Sequence, residues 1–290
     1  SQVVEYPFTI GHEGSGIVSA VGAAVKRVRP GDRVAIDPAM SCGSCDQCRD
    51  GRQNTCRNLR FLGCPGQSEG CLSEYIVLPE TSCYRIPDTM TLDQATIAEP
   101  LSIGIYAVKR SVPMKRARIG ILGAGPIGLC AFLAAKSERV EKVYVTDKIE
   151  ERLVVARRLG AAWAGNPAGE DVVGEILSRE PLQLDAVFEC CGEQEALDQA
   201  IRLLKPGGKL MIVGIPATPR LSFDVDDMRR KEICIQNVRR QVDCVDEALH
   251  GIERHDMEVD DLVTHRFPFE SAREAFELVA DYRDGVVKAL

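Results

Sequence analysis

The chain has 290 residues, a length that suits one large domain or two of ordinary size. Hydrophobic residues make up 45% of it, which is too many for a disordered protein, and no run of 18 apolar residues occurs that would predict a membrane-spanning helix. The net charge of −7, with both signs interspersed, argues against nucleic acid or an anionic membrane surface as the main partner. We therefore expect neither nucleic acid nor a membrane as a partner.

The cysteine content is unusual. The chain has 12 cysteines, and the opening residues SQVVEYPF show neither the basic nor the apolar segment of a secretion signal. We therefore expect a cytoplasmic protein. In a reducing compartment this many cysteines predicts metal or redox chemistry before disulfides.

The front of the chain favours strands and turns. Residues 16–36 hold short Val- and Ile-rich runs separated by glycines and by Pro-Gly-Asp, which predicts strands joined by tight turns. Residues 41–66 are rich in Cys, Gly and Arg and lack apolar periodicity, so they predict a loop. Two further short strands are predicted in residues 71–87. A helix interrupted at Pro100 is predicted in residues 91–111.

From Arg118 onward the pattern changes to short apolar strands that alternate with amphipathic helices. The strands are nearly continuous hydrophobic runs, as in a parallel sheet with helices on both faces. This predicts an α/β domain with a doubly wound parallel sheet behind a β-rich front domain. After a helical stretch predicted in residues 243–255, we expect the last fifty or so residues to fold back on the front domain.

Four cysteines lie close together in the predicted loop. Cys42, Cys45, Cys48 and Cys56 form a C-x2-C-x2-C-x7-C array, which predicts one closed tetrahedral zinc site with a structural role. The alternatives are free thiols, a disulfide pair and an iron–sulfur cluster, which also takes four thiolates. A nucleic-acid-binding zinc ribbon is a further alternative, favoured by four nearby arginines and disfavoured by the acidic chain: Arg49, Arg52, Arg57 and Arg60.

A dinucleotide-binding turn is predicted directly after the strand RIGIL. Gly123, Gly125 and Gly128 form a GxGxxG motif, with Pro126 and Ile127 between the last two, and the motif opens an apolar helix. The glycines permit a tight turn, close approach of a pyrophosphate and close helix–strand packing, while the helix N-terminus offers free N–H groups to the phosphates.

Asp147, at the end of the next strand, predicts the choice of nucleotide. Its carboxylate can accept hydrogen bonds from the adenosine ribose hydroxyls and would repel a 2′-phosphate, so NAD is favoured over NADP. Arg152 lies early in the following helix and could reach the ribose edge. The alternative for Arg152 is an ordinary solvated helix charge.

The motifs IGHEGSGIV, PGDRVAIDP, the four-cysteine loop, AEPLSIGIYAV, GAGPIG, VTD and THRFPFESAREAFE occur in this order. Together they resemble the zinc-dependent medium-chain dehydrogenase/reductase family, and EPLSIGIYA is most similar to sorbitol (L-iditol) and other polyol dehydrogenases. The resemblance extends over nearly the whole chain. It implies a Rossmann domain that binds NAD and a GroES-like catalytic domain that carries the structural zinc loop.

The resemblance also implies domain limits and an assembly. The catalytic domain would take residues 1–101, without its first strands, the Rossmann domain residues 102–238, and a returning segment, residues 239–290, would complete the catalytic domain. Catalytic zinc and cofactor would meet in a cleft between the domains. A homo-oligomer, either a tetramer or a dimer, is expected.

The resemblance assigns site residues by motif. His12 of the GHE motif would ligate a catalytic zinc, with Glu13 as a ligand or beside the metal. Glu99 of the EPLS motif would be a ligand or would accept from the zinc-bound water. Arg240 in NVRRQ would contact polyol hydroxyls, although its neighbour Arg239 stays an alternative.

One ligand of the family pattern does not occur. The family has a catalytic cysteine a few dozen residues before GHE, beside its proton relay, whereas this sequence begins eleven residues before His12. We expect a longer natural chain to carry that cysteine.

The expected reaction is zinc- and NAD-dependent oxidation of a secondary alcohol of a polyol to the ketone. A butanediol- or threonine-type dehydrogenase and a non-catalytic zinc- and nucleotide-binding relative are the alternatives.

Overall fold

The computed structural model describes residues 5–290 and divides them into two compact units. The first unit comprises the residues up to Ser102 together with Arg239–Asp256, and the second comprises Ile103–Val238 and Met257–Leu290. The first four residues of the domain predicted as 1–101 lie outside the described part. Within residues 5–290, no helix is long and apolar enough to cross a membrane.

The front of the chain forms short elements joined by turns. They are β1 (Ser15–Ile17), β2 (Arg33–Ile36), β3 (Ala39–Met40), α1 (Asp46–Arg49), β4 (Arg60–Phe61), β5 (Cys83–Arg85) and α2 (Leu92–Lys109). Strands β1, β2 and β5 make an antiparallel sheet in that order, and β3 pairs with β4. The strands predicted in residues 16–36 are therefore present.

Three sequence expectations for the front differ from the structure. Residues 41–66, predicted as a loop, contain α1, a 3-10 turn at Gln53–Thr55 and β4. Of the two strands predicted in residues 71–87 only β5 forms, because the amides of residues 70–72 bond singly to carbonyls of residues 9–11 without a regular ladder. Helix α2 continues through Pro100, held by fully buried Ala98 and Leu101 on either side of it.

The second unit alternates strands and helices as predicted. The elements are β6 (Arg118–Leu122), α3 (Pro126–Ser137), β7 (Lys142–Thr146), α4 (Glu150–Arg158), β8 (Trp163–Gly165), α5 (Val172–Arg179), β9 (Leu184–Glu189), α6 (Gln194–Leu203), β10 (Leu204–Ile212), α7 (Val225–Lys231) and β11 (Cys234–Asn237). Their strands form a parallel sheet in the order β8-β7-β6-β9-β10-β11.

The strand order explains where a ligand can bind in this unit. The chain moves outward from β6 through β7 to β8, then returns to the other side of β6 and moves outward again through β9 to β11. In such a sheet a crevice opens at the carboxyl ends of the two strands where the direction reverses, here β6 and β9. The predicted doubly wound parallel sheet is confirmed.

The last quarter of the chain contains α8 (Val245–Glu253), β12 (Val263–His265), α9 (Ala272–Ala280) and β13 (Lys288–Ala289). Residues 239–290 were predicted to complete the first domain, but Met257–Leu290 group with the second unit instead. Arg152 on α4 donates from Nε and Nη2 to the carbonyl oxygen of Val286, at 2.9 and 2.6 Å, and Gly285 packs against the side chain of Glu151. These contacts hold the end of the chain against α4.

Candidate functional site

The four cysteines of the front loop converge on one point. Cys45 caps α1, Cys48 lies within it, and Cys56 follows the 3-10 turn. Their sulfur atoms and that of Cys42 all lie within 4.8 Å of one another, with measured separations of 3.5 Å for Cys42–Cys56 and 3.6 Å for Cys45–Cys48. A tetrahedral ion with zinc–sulfur bonds of about 2.3 Å places its sulfurs about 3.8 Å apart. The donor set therefore fits one zinc ion.

Backbone N–H groups favour the thiolate at two of the four sulfurs, since they lower the pKa values of Cys42 and Cys45, whereas burial raises the pKa of Cys48 to about 11. The backbone N–H groups of Ser44 and Cys45 point at the Cys42 sulfur and lower the pKa of that thiol to about 5. The sulfur separations are those of ligands around a single ion, and all described cysteines are free, so a disulfide does not form here.

Two of the nearby arginines make internal contacts. Arg57 donates to both carboxylate oxygens of Asp46, at 2.6 and 2.7 Å, and Arg60 donates to the carbonyl of Gln67 at 3.0 Å. The Arg57–Asp46 pair closes the loop across α1. These contacts leave less of the loop's positive charge for a nucleic acid.

The His12–Glu13 segment is held by backbone hydrogen bonds on both sides. Cys71 N–H donates to the carbonyl of Gly11 at 3.0 Å, and Ile36 N–H on β2 donates to the carbonyl of Gly14 at 3.0 Å. Glycine is required at position 14, because a Cβ there would meet the Cys71 sulfur at 2.9 Å. The glycine-rich motif therefore lets two neighbouring segments approach and fixes the two candidate ligands between them.

Glu99 reaches the same place from helix α2. The hydroxyl of Ser15, at the start of β1, donates to the Leu92 carbonyl at 2.7 Å and lies 2.9 Å from the hydroxyl of Thr96, one turn before Glu99. These bonds join the chain just after Glu13 to the first turns of α2. Ligand atoms of His12, Glu13 and Glu99 consequently all lie within 4.8 Å of one another.

The electrostatics of this cluster fit a cation. Glu99 is only 6% exposed, and its Oε2 is buried without a hydrogen-bond partner among the described residues. Burial and the nearby carboxylate of Asp37 raise the pKa of Glu99 to about 8, and Arg240 opposes this shift. A buried carboxylate oxygen that no protein donor satisfies is a suitable metal ligand. The three residues could hold a metal ion.

Arg240 lies beside the same cluster. Its guanidinium carbon lies 3.6 Å from the centre of the Phe61 ring, and the His12 ring also contacts Phe61, with ring centres 5.3 Å apart. Burial lowers the pKa of Arg240 to about 10, with a contribution from Arg239. Nη1 of Arg240 is buried and makes no hydrogen bond within residues 5–290. A cationic donor is thus available next to the candidate metal centre, whereas the Arg239 side chain is exposed.

The glycine turn of the second unit has the shape that a pyrophosphate needs. Gly123 adopts φ +104° and lies against Cys190 and Cys191 at the switch between β6 and β9. Gly125 caps α3 with Pro126 at its first position, and a Cβ on Gly125 would meet only Nη1 of Arg152, at 3.7 Å, in the described structure. Gly128 touches the turn itself, since a Cβ there would lie 1.8 Å from the Gly123 carbonyl oxygen. The turn is therefore tight at Gly128 and open at Gly125.

Asp147 and Arg152 border this turn. The Asp147 carboxylate accepts from the N–H groups of Ala124 at 2.7 Å and Ile149 at 2.8 Å, which fixes it at the end of β7. Arg152 is only 8% exposed, because it donates to the Val286 carbonyl and lies over the Tyr282 ring at 5.4 Å. The alternative of a solvated helix charge is therefore wrong for Arg152.

Comparison with known proteins follows the two units. The family model of the alcohol dehydrogenase GroES-like domain matches residues 1–88, and that of the zinc-binding dehydrogenases matches residues 126–254. A sorbitol dehydrogenase from Bacillus subtilis is 32% identical over 289 residues, which cover 99% of this chain and 82% of the relative. The chain belongs to the zinc-binding dehydrogenases. It is an oxidoreductase, and the predicted family is confirmed.

Two solved structures that are similar to this chain carry nucleotides. A short chain alcohol dehydrogenase from E. coli CFT073, complexed with NADH, superposes with a TM-score of 0.91 at 29% identity and covers 98% of this chain and 83% of its own. A zinc-binding dehydrogenase from Sinorhizobium meliloti 1021, bound to NADP, gives a TM-score of 0.91 at 30% identity and covers 99% and 84%. The predicted GroES-like and Rossmann architecture is confirmed.

Sequence reasoning about this zinc-binding dehydrogenase missed several residues that shape the first unit. Phe61 contacts both His12 and Arg240, Asn54 donates to the carbonyl of Arg239, and Gln241 donates to the carboxylate of the half-buried Asp37. Each is an ordinary residue in an ordinary strand or turn. No motif in the sequence indicates that positions 37, 54 and 61 lie near position 240, because all six strands of the nucleotide-binding sheet lie between them along the chain.

Proposed function

We propose that this chain catalyses the reversible oxidation of a secondary alcohol of a polyol or sugar alcohol to the ketone, with zinc and NAD. The observation that carries the proposal is the juxtaposition, in one unit, of the His12, Glu13 and Glu99 ligand atoms with a half-buried arginine, Arg240, whose buried Nη1 makes no hydrogen bond within residues 5–290. The likeness to a sorbitol dehydrogenase supports the substrate class.

The catalytic zinc would be held by His12, Glu13 and Glu99. Zinc supplies a Lewis acid that lowers the pKa of a bound alcohol, and the nicotinamide dinucleotide accepts the hydride. The two carboxylates supply negative charge to the ion from fixed positions on the GHE segment and α2. Burial of Glu99 restricts water around it, which strengthens the electrostatic interactions at this place.

Arg240 would recognise the hydroxyls that distinguish a polyol from a simple alcohol. A guanidinium presents several N–H donors in a fixed plane, and hydroxyl oxygens accept from them. Stacking on Phe61 restricts the plane of the Arg240 guanidinium, so its Nη1 offers a donor with little freedom.

The second unit would bind NAD in preference to NADP. The open space at Gly125 and the α3 N-terminus suit the pyrophosphate. The Asp147 carboxylate, fixed by two backbone N–H groups, suits a ribose with free hydroxyls and disfavours a 2′-phosphate. Structures similar to this chain carry either NADH or NADP, so the preference depends on Asp147.

A substrate panel tests the proposed reaction. The purified, zinc-loaded protein is given NAD with sorbitol, xylitol, butanediol, threonine and simple alcohols, and NADH formation is followed by absorbance. We expect the highest kcat/KM with a polyol and loss of that preference in Arg240→Ala. A higher kcat/KM with butanediol or threonine than with every polyol would overturn the polyol assignment and favour those dehydrogenase types.

The oligomeric state and the cellular location follow from the same family resemblance. We infer a homo-oligomer, a dimer or a tetramer, in the cytoplasm, on the strength of the family resemblance. Light scattering of the purified protein tests the first, and a monomeric mass would contradict it. Cell fractionation tests the second.

A further inference from the structure

We propose that Asn54 and Gln241 are positioning residues that hold Arg240 in its substrate-binding orientation, so that the four-cysteine loop helps to set the affinity for the polyol. The inference rests on the proposed function, because it takes Arg240 as the residue that contacts the polyol. Neither Asn54 nor Gln241 belongs to the candidate metal sites.

The backbone of Arg240 needs outside support. Its φ is +52°, in the left-handed region that a residue with a side chain rarely adopts. Such a conformation persists only where the surroundings determine it. The side chain is also largely buried, with Nη1 making no hydrogen bond in the described structure. Both features make the orientation of Arg240 depend on its neighbours.

Asn54 supports the residue before Arg240. Its Nδ2 donates to the carbonyl oxygen of Arg239 at 2.9 Å, and the Asn54 residue is only 5% exposed. The turn that carries Asn54 is joined to α1 by a 2.8 Å bond from Thr55 Oγ1 to Gln47 Oε1 and ends at Cys56. The four-cysteine loop, through Asn54, thus contacts the peptide that precedes Arg240.

Gln241 supports the residue after Arg240. Its Nε2 donates to Asp37 Oδ2 at 3.1 Å, and its Oε1 accepts from the N–H of Cys244 at 2.9 Å. Asp37 in turn accepts from the Ala39 N–H at 2.9 Å, at the start of β3. Strand β3 pairs with β4, which carries Phe61 under the guanidinium. Asn54 and Gln241 therefore fix the backbone before and after Arg240, and Phe61 supports its guanidinium.

The expected effect is a change in polyol affinity. Asn54→Ala removes one hydrogen bond and frees the 239–240 peptide, so we expect KM for the polyol to rise about three- to tenfold with kcat little changed. Gln241→Leu should also raise KM for the polyol, by a similar factor. The Kd of NADH should stay unchanged, because the glycine turn and Asp147 lie in the other unit.

The controls separate positioning from general stability. Gln183→Ala removes a comparable bond, from Gln183 Nε2 to the Arg202 carbonyl at 2.8 Å, in the other unit, and should leave KM unchanged. Zinc content and melting temperature are measured for every variant. Hydrogen exchange of the peptide spanning residues 239–244 gives a readout besides activity, and we expect faster exchange in Asn54→Ala and Gln241→Leu.

A double-mutant cycle with Arg240→Ala decides the matter. If Asn54 acts through Arg240, Asn54→Ala raises KM in the wild-type background and has no further effect in Arg240→Ala. An equal increase in KM in the wild-type and Arg240→Ala backgrounds would overturn the inference. So would an unchanged KM in both Asn54→Ala and Gln241→Leu. Should Asn54→Ala lose the loop zinc, the same cycle is run with Gln241→Leu, whose result then decides. An unchanged KM in Arg240→Ala alone would instead refute the proposed role of Arg240, which is a separate failure.

Discussion

Gly128 offers a sharp test of the dinucleotide turn. In Gly128→Ala the new Cβ would lie 1.8 Å from the Gly123 carbonyl oxygen and 3.2 Å from Cγ2 of Ile121. Ordinary contact begins near 3.4 Å, so the turn and α3 must separate by about 1.6 Å. Overpacking of this kind costs about 1–3 kcal/mol of stability. Because the displaced atoms belong to the turn that we propose binds the pyrophosphate, affinity for NADH should also fall by about tenfold or more.

Gly125→Ala is the matched variant. Its Cβ meets only Nη1 of Arg152, at 3.7 Å within the described structure, and φ at Gly125 is −71°. The folded protein can accept this methyl group, but the bound pyrophosphate cannot, since the methyl group occupies the open space. We expect Gly125→Ala to lose NADH affinity while it keeps the wild-type melting temperature.

The assay is a pair of measurements on each protein, the melting temperature and the Kd of NADH by fluorescence titration. Gly169→Ala, where nothing lies within 4 Å of the new Cβ, should leave both unchanged. Wild-type NADH affinity in Gly125→Ala would refute the placement of the pyrophosphate. A wild-type melting temperature in Gly128→Ala would refute the packing argument.

Three further predictions concern separate features. Asp147→Ser should narrow the preference for NAD over NADP at least tenfold in kcat/KM, because the fixed carboxylate is lost; an unchanged ratio would contradict its role. Cys45→Ser should remove one zinc ion per chain by metal analysis and lower the melting temperature, and full zinc content would contradict the four-thiolate site. Burial lowers the pKa of Lys288 to about 8. The unfolded chain therefore binds more protons above this pH, so the free energy of unfolding should rise with pH between about 8 and 10, by up to about 1.4 kcal/mol per pH unit. In denaturant titrations, the free energy of unfolding of Lys288→Met should not show this rise with pH. An equal rise in wild type and Lys288→Met would contradict the role of Lys288.

The elements of the second unit could be predicted because their signals are local. The glycine turn, Asp147 and the alternation of strands and helices depend on neighbours a few residues away. The cysteine loop was predictable for the same reason, since its ligands are close in sequence. The predicted interruption of the helix at Pro100 is wrong. The packing of fully buried Ala98 and Leu101 stabilises α2 by more than the hydrogen bond lost at Pro100 costs.

The surroundings of Arg240 could not be predicted from the residues alone. Asn54 and Arg239 are far apart in sequence, as are Asp37 and Gln241, and neither pair has a motif that marks it. The buried position of Arg152 likewise depends on Val286 and Tyr282 at the end of the chain. His12, Glu13 and Glu99 were grouped by resemblance, and the structure brings their ligand atoms together; their roles stay predictions.

We propose polyol oxidation at the His12–Glu13–Glu99 centre. A comparison of wild type with His12→Ala tests this proposal. Zinc-loaded wild type and His12→Ala are incubated with NAD and sorbitol, and NADH and ketone formation are measured together with the zinc content of each protein. We expect wild type, with two zinc ions per chain, to form equal amounts of NADH and ketone, and His12→Ala, with one zinc ion per chain, to show no turnover. Turnover by His12→Ala at the wild-type rate, or two zinc ions in wild type with no NADH from any polyol, would contradict it.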